Sequence, residues 1–170
     1  MSIFYPNQYV DSVCSIDYES LKKQGKQLLL FDVDNTLETY ITKDPGEKTK
    51  TLFEQLKVLD FQIVLVSNGR EARVKNYAAQ LGVLYIYKAA KPIPTAMKNA
   101  MAMAHVQPEN TVMIGDQIFT DVLGGNLAGA YSILTEPISR VDDEWITRIK
   151  RGLEKLVVQS YLKKEGKKNA

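Results

Sequence analysis

Apolar residues along this chain follow two alternating rhythms. Five runs are short and nearly unbroken: LLLFDV (28–33), FQIVLVS (61–67), VLYIY (83–87), TVMIGD (111–116) and YSILT (131–135). Each has the length of a strand, and an unbroken apolar run fits a strand covered on both faces. Between the runs the spacing changes to three and four residues. Leu52, Leu56 and Leu59 form one such set, and Val74, Ala78 and Leu81 a second. Ile93, Met97, Ala100 and Ala104 form a third, and Phe119, Val122, Leu123 and Leu127 a fourth. That period predicts helices, with Met and Ala there as core filling.

Punctuation agrees with the rhythm. Gly82 suits the left-handed residue that ends a helix, Pro92 suits a first helical turn, and Pro108 closes the loop after the helix that ends near Ala104. Strands alternating with helices predict βαβ units: an α/β fold with a mainly parallel five-stranded sheet between two helical layers. A last amphipathic helix is expected over about 142–162, with Ile146, Ile149, Leu153, Leu156 and Val157 on one stripe. With no repeat and no linker, residues 1–170 are expected to form one domain, its core over about 26–137.

In open α/β sheets, ligands bind beyond the carboxyl ends of the strands. Asp32 and Asp34 follow the first run, Ser67 and Asn68 the second, Lys91 the third, and Asp116 with Asp121 the fourth. Four carboxylates at one edge repel one another unless a cation relieves them. An all-oxygen donor set points to Mg²⁺, or Mn²⁺ in its place, rather than to zinc. Lys91, Ser67 and nearby amides suit a phosphoryl group, and a carboxylate nucleophile with a second acid in reach suits phosphoryl transfer. Taken singly, each feature has an ordinary reading: an acidic turn, a strand ending in Ser, a helix cap. Their order along the chain is what carries the reading.

Composition narrows the setting. The 170 residues carry a net charge of +2, but residues 148–170 carry +6 and the rest −4. The final KKEGKKNA reads as a frayed, solvated tail, or as a weak contact with an anionic membrane or nucleic acid. Cys14 is the single cysteine, which excludes an internal disulfide, and it is expected to be half-buried and structural. His105, the single histidine, is expected to be exposed near a helix end. No apolar run approaches the ~18–20 residues that span a bilayer, and the N-terminus lacks the pattern of a secretory signal. A cytoplasmic protein is expected, with a membrane-peripheral one as the variant.

The motifs in order resemble the haloacid dehalogenase (HAD) superfamily. DVDNTL looks like its first motif in the phosphatase form, VLVSNG its second, KAAKP its third and GDQIFTD its fourth. The N-terminal stretch and GDQIFTDVLGGNLAGAYSILTEPI further resemble subfamily IIIA and its YqeG family, which is similar to phosphatidylglycerophosphate phosphatases. The resemblance implies a Rossmann-like HAD fold and a Mg²⁺-dependent phosphomonoester hydrolase with a phospho-aspartyl intermediate at Asp32. It makes Asp34 the acid and base, and Ser67, Asn68 and Lys91 the phosphate-binding residues. Metal would be held by Asp32, the backbone carbonyl of Asp34, Asp116 and Asp121, and Thr36 would fix the loop. About ten residues, ETYITKDPGE, separate Leu37 from the next helix, and only one helix and a short strand fit between Ser67 and Lys91. The cap is therefore expected to be minimal (C0-type) and the site open, suiting a large substrate with one phosphorylated end or an oligomer that supplies a lid. Phosphatidylglycerophosphate is the expected substrate class, with a small soluble phosphate ester as the alternative. A non-catalytic phospho-acceptor or partner-binding module also stays open, though a receiver has no need of Asp34. A nucleic-acid partner is disfavoured, because no aromatic platform accompanies the basic tail.

Overall fold

The computed structural model describes residues 2–139 and 145–168, with the side chains of residues 145–150, 165, 167 and 168 outside that description. Six strands form one sheet: β1 (Gln8–Val10), β2 (Leu28–Phe31), β3 (Gln62–Val66), β4 (Leu84–Ile86), β5 (Thr111–Gly115) and β6 (Tyr131–Thr135). Their order is β1-β6-β5-β2-β3-β4, and every neighbouring pair is parallel. The five predicted strands are β2 to β6. The sixth, β1, escaped prediction because its three half-buried residues QYV carry almost no apolar pattern. Its pairing with Ile133–Thr135 is tertiary, not local.

Why the first run is continuously apolar is visible in the layers. Leu29 and Phe31 face α1 (Tyr18–Lys23), α2 (Glu47–Val58) and α3 (Glu71–Leu81), packing with Leu21, Phe53, Leu56 and Tyr77. Leu28 and Leu30 face the other way, with Val64, Met113, Met97 and Ala100, the last two from α4 (Thr95–Ala104). Alternate residues therefore serve two cores, and neither face of β2 meets water.

The chain leaves β2 toward β3 and β4, then returns to β5 and β6 on the opposite side. The crevice at such a reversal lies between β2 and β5, at their carboxyl ends. No inserted module separates β2 from α2, and only α3 lies between β3 and β4, as expected for a minimal cap. Gly82 closes α3 at φ 62°, the left-handed conformation expected there.

Several boundaries differ from the sequence reading. The fourth helix starts at Thr95, not at Pro92, because Pro94 disfavours helical backbone at the preceding residue. Ile93 thus lies outside the helix and is exposed. The fifth element is one turn of π-helix, Ile118–Val122, leading into α5 (Leu123–Ala128), and Leu127 is exposed. Cys14 is exposed, not half-buried, whereas His105 is exposed at the end of α4 as expected.

The C-terminal helix α6 runs Trp145–Lys168. Part of the expected start, 142–144, and the side chains of Ile146 and Ile149 lie outside the described residues. The tail expected to fray is helical through Lys168. The orientation also differs: Leu153 and Leu156 are 54% and 64% exposed, while Glu154 and Tyr161 are buried and Arg151, Val157 and Val158 half-buried. The reason lies in the partner surface, which offers charges and backbone donors as well as apolar contacts.

Replacing Leu30 with Ala tests the sheet core. This fully buried side chain sits between Val64 and Met113 in register, so the substitution should cost about 2–5 kcal/mol. Urea denaturation measures it, and a loss below about 1 kcal/mol would contradict the two-faced packing.

Candidate active site

Three of the predicted site residues are delivered directly by strand ends. Asp32 follows β2 directly, Ser67 follows β3 and Asp116 follows β5. Beyond Asp32 the chain turns sharply at Asn35, whose φ of 62° an Asn tolerates better than most residues. Thr36 then points back, its hydroxyl donating to Asp116 Oδ1 at 3.1 Å and lying 3.4 Å from Asp32 Oδ2. The expectation that Thr36 ties the loop together agrees with this geometry.

Lys91 arrives by a different route. Lys88 and Ala90 both take positive φ, 46° and 53°, a strained turn that carries the chain from β4 back into the site. The turn is laced to the β3 end by hydrogen bonds from Ala89 N–H to the Ser67 carbonyl and Lys88 N–H to the Gly69 carbonyl. Asn68 spends its side chain on the same task, accepting from Lys91 N–H at 2.9 Å and donating to the Lys91 carbonyl at 3.4 Å. Its side chain therefore fixes the Lys91 backbone.

At the centre, Lys91 Nζ lies 2.6 Å from Asp32 Oδ1 and 2.6 Å from Asp121 Oδ1, all three side chains buried. Burial acts to lower the ammonium's pKa, but Asp121 and Asp32 outweigh it and hold Lys91 charged. Asp32, Asp116 and Asp121 each offer an oxygen within 4.8 Å of the others. Hard oxygen donors so close, all buried, fit a small divalent cation. Burial and then Asp121 push the Asp116 carboxyl up to about 7, against the pull of Arg151. Gly115 is required by this crowding, since a Cβ there would lie 2.3 Å from Asp121 Cγ. Asp121 is further fixed by Gln117 N–H, which donates to its Oδ2 at 3.1 Å.

Asp34 stands apart from the three-carboxylate cluster. Its Oδ1 accepts from Arg73 Nη2 at 2.6 Å, and Ser67 also hydrogen-bonds its carboxylate. Burial raises its pKa, while Arg73, Lys91 and Ser67 pull the other way. A half-buried acid with a raised pKa is what proton transfer near neutrality needs. Asp34 and Lys91 line a cavity of about 520 Å³ together with Asp32, Tyr40, Arg70 and Arg73.

Two basic site residues were missed in the sequence. Arg73, on α3, pairs with Asp34 and donates to the carbonyls of Thr39 and Tyr40, so it braces the short loop after β2. A signal existed, since Arg73 lies in the first turn of the helix opened by VSNGR. Arg151, on α6, donates through Nη2 to Asp116 Oδ2 at 2.5 Å and through Nη1 to the Asp116 carbonyl at 3.2 Å. No local pattern in the sequence marks it.

Residues 88–137 match the HAD-hydrolase-like family model. A probable phosphatase, YqeG of Bacillus subtilis, is 36% identical over 96% of this chain and 94% of its own length. The chloroplastic/mitochondrial phosphatidylglycerophosphate phosphatase 1 of Arabidopsis thaliana is 30% identical over 94% of the chain, which spans 48% of that relative. Among solved structures, the cobalt-bound deoxy-D-mannose-octulosonate 8-phosphate phosphatase YrbI of Haemophilus influenzae superposes with a TM-score of 0.56. That likeness covers 82% of this chain and 91% of the other at 17% identity, and it concerns the fold. With a curated relative matched nearly end to end and the HAD fold in place, the chain belongs to the YqeG family of HAD-type phosphatases.

Proposed function

We propose that the chain hydrolyses phosphomonoesters in a Mg²⁺-dependent reaction through a covalent phosphate on Asp32. The observation that carries this reading is Lys91 set between Asp32 and Asp121, with Asp116 completing a buried carboxylate cluster at the sheet edge. Asp32, the Asp34 carbonyl and Asp116 would hold the cation, with Asp121 direct or through water. When bound, Mg²⁺ supplies positive charge that offsets the cluster and the phosphoryl oxygens.

The chain's own residues then divide the work. An Asp32 carboxylate oxygen attacks phosphorus while the ester P–O bond breaks, and Asp34 gives its proton to the departing oxygen. Asp34 next takes a proton from water, whose oxygen attacks the phosphorus of the aspartyl phosphate. Inorganic phosphate leaves and Asp32 is restored. Ser67, Lys91 and the amide at Asn68 orient the phosphoryl oxygens, Lys91 by charge and the others by hydrogen bonds. Arg73 keeps Asp34 directed into the cavity.

The substrate reading is phosphatidylglycerophosphate. It rests on the Arabidopsis relative's name and on the uncapped cavity, which leaves space for a bulky leaving group. The outer side of α6 supports a peripheral contact with an anionic membrane: Leu153, Leu156 and Leu162 are exposed beside Lys155, Lys163 and Lys164. No helix among the described residues is long and apolar enough to cross a membrane. We read the chain as a single domain acting at the cytoplasmic side of such a surface. A small soluble ester is the second reading, since the cavity itself is polar and of modest size.

Three measurements test these claims. With Mg²⁺, the chain should hydrolyse an aryl phosphate, and D32N should abolish turnover; equal rates would refute attack by Asp32. D34N should slow esters with poor leaving groups by about 10²–10⁴-fold and activated aryl esters far less. Against a panel of lipid, sugar and nucleotide phosphates, phosphatidylglycerophosphate should have the highest kcat/KM, and activity confined to sugar phosphates would reject it.

Stability should report the same cluster. Burial raises the Asp116 carboxyl from 3.8 to about 7, and Asp32 and Asp34 shift in the same direction. Between about pH 4 and 7 the folded state therefore keeps protons that the unfolded state has lost, so stability falls as pH rises. In EDTA, Tm should drop from pH 5 to pH 7.5, and Mg²⁺ should restore it at the higher pH. A Tm that climbs over that interval in EDTA would contradict the electrostatic reading.

A further inference from the structure

The inner face of α6 touches the GDQIFTD loop through two charged side chains one turn apart. Arg151 grips the carboxylate and the carbonyl of Asp116. Glu154 accepts from Phe119 N–H at 3.2 Å, at the start of the π turn that carries Asp121. Around them Val157 and Val158 pack with Ile118, Val122 and Leu134. The loop is thus held by one helix at Asp116 and again at Phe119.

The consequence concerns Asp116. One of its oxygens receives the Thr36 hydroxyl, and the other receives the Arg151 guanidinium at 2.5 Å. The pair is enclosed, with side-chain exposures of 13% for Arg151 and 0% for Asp116. A guanidinium so placed supplies at Asp116 the positive charge that a divalent cation would supply. Two cations on one buried carboxylate repel each other strongly where water is excluded. Beside the pair lies a cavity of about 480 Å³, bounded by Ile118, Leu134, Glu136 and Val158. It gives the guanidinium room to leave Asp116 without α6 leaving the fold, with Glu154 already 3.8 Å away and Glu136, which accepts from Tyr9, on the cavity wall.

We propose that Arg151 is an exchangeable counter-ion of the metal site: Arg151 and the divalent cation compete for Asp116, so that cation binding loosens α6 and docking of α6 weakens the cation. The inference rests on the metal reading of the carboxylate cluster and goes beyond it by making the last helix a partner in that equilibrium. Because the coupling is a binding free energy it is reciprocal, and both directions can be measured.

The first measurement is Mn²⁺ binding to the full chain after chelation, followed by the electron paramagnetic resonance signal of free Mn²⁺. R151Q, which removes the competing charge, should bind Mn²⁺ about tenfold more tightly than the parent, within the range usual for coupled sites. R151K, which restores a charge, should return the affinity toward the parent value. A merely structural Arg151 predicts the opposite sign, weaker binding in R151Q, and that result or an unchanged affinity overturns the proposal. The second measurement needs no variant. Saturating Mg²⁺ should speed hydrogen exchange at the amides of residues 151–161 in the parent chain, and unchanged or slower exchange overturns the proposal. Neither readout involves turnover, so each is independent of the hydrolase reading. If neither the parent nor R151Q binds Mn²⁺, the metal reading falls and the exchange falls with it.

Discussion

Everything at this sheet edge depends on one buried ammonium. Lys91 sits 2.6 Å from each of two carboxylates, and no other charged side chain among the described residues touches both Asp32 and Asp121. Without it, three enclosed acids would face one another with Arg151 as the one remaining paired cation among the described residues. An uncompensated buried charge is among the most destabilising features a fold can contain. The left-handed residues Lys88 and Ala90 and the Asn68 clamp on the Lys91 backbone are therefore structural necessities for the site. Strain in that turn is offset by the charge it delivers.

The same constraint explains the division between Asp32 and Asp34, two residues apart on one loop. Asp32 points into the cluster and meets Lys91, while Asp34 points toward α3 and meets Arg73. Each carboxylate has its own cation, so their environments diverge although they are neighbours in sequence. One acid kept beside a strong counter-ion and another kept half-buried with competing influences is the arrangement that separates a nucleophile from a proton donor. Ser67 belongs to the Asp34 side, accepting from Gly69 N–H and bonding Asp34.

How much of this was legible in the chain follows from distance along it. Asp32, Ser67 and Asp116 each stand immediately after a strand, so apolar periodicity located them along with the sheet. Lys91 was legible because the strand before it ends only five residues earlier, at Ile86. Arg73 was readable in principle, as a basic residue in the first turn of the helix after Ser67. Strand β1 and the inward face of α6 were not readable, for a shared reason: both are defined by what they pack against. QYV becomes a strand through β6, and the Leu153, Leu156 stripe turns outward because Arg151 and Glu154 have partners inside. A hydrophobic stripe predicts the buried face only when the surface receiving the helix is apolar.

The inward contacts of α6 combine an apolar patch, Val157 and Val158 with the buried Tyr161 edge-on to the Tyr5 ring, and two charged anchors. Polar anchors stabilise a docked helix only while their partners remain available, whereas apolar burial does not depend on the partner's charge. The anchor at Asp116 is an acid of the very cluster that suits a divalent cation. The outer leucines, about half or more exposed, add little to docking on this chain. The hold on α6 therefore depends on the charge state of the carboxylate edge as well as on the apolar contacts beneath it, and the last helix of the chain is electrostatically part of the site.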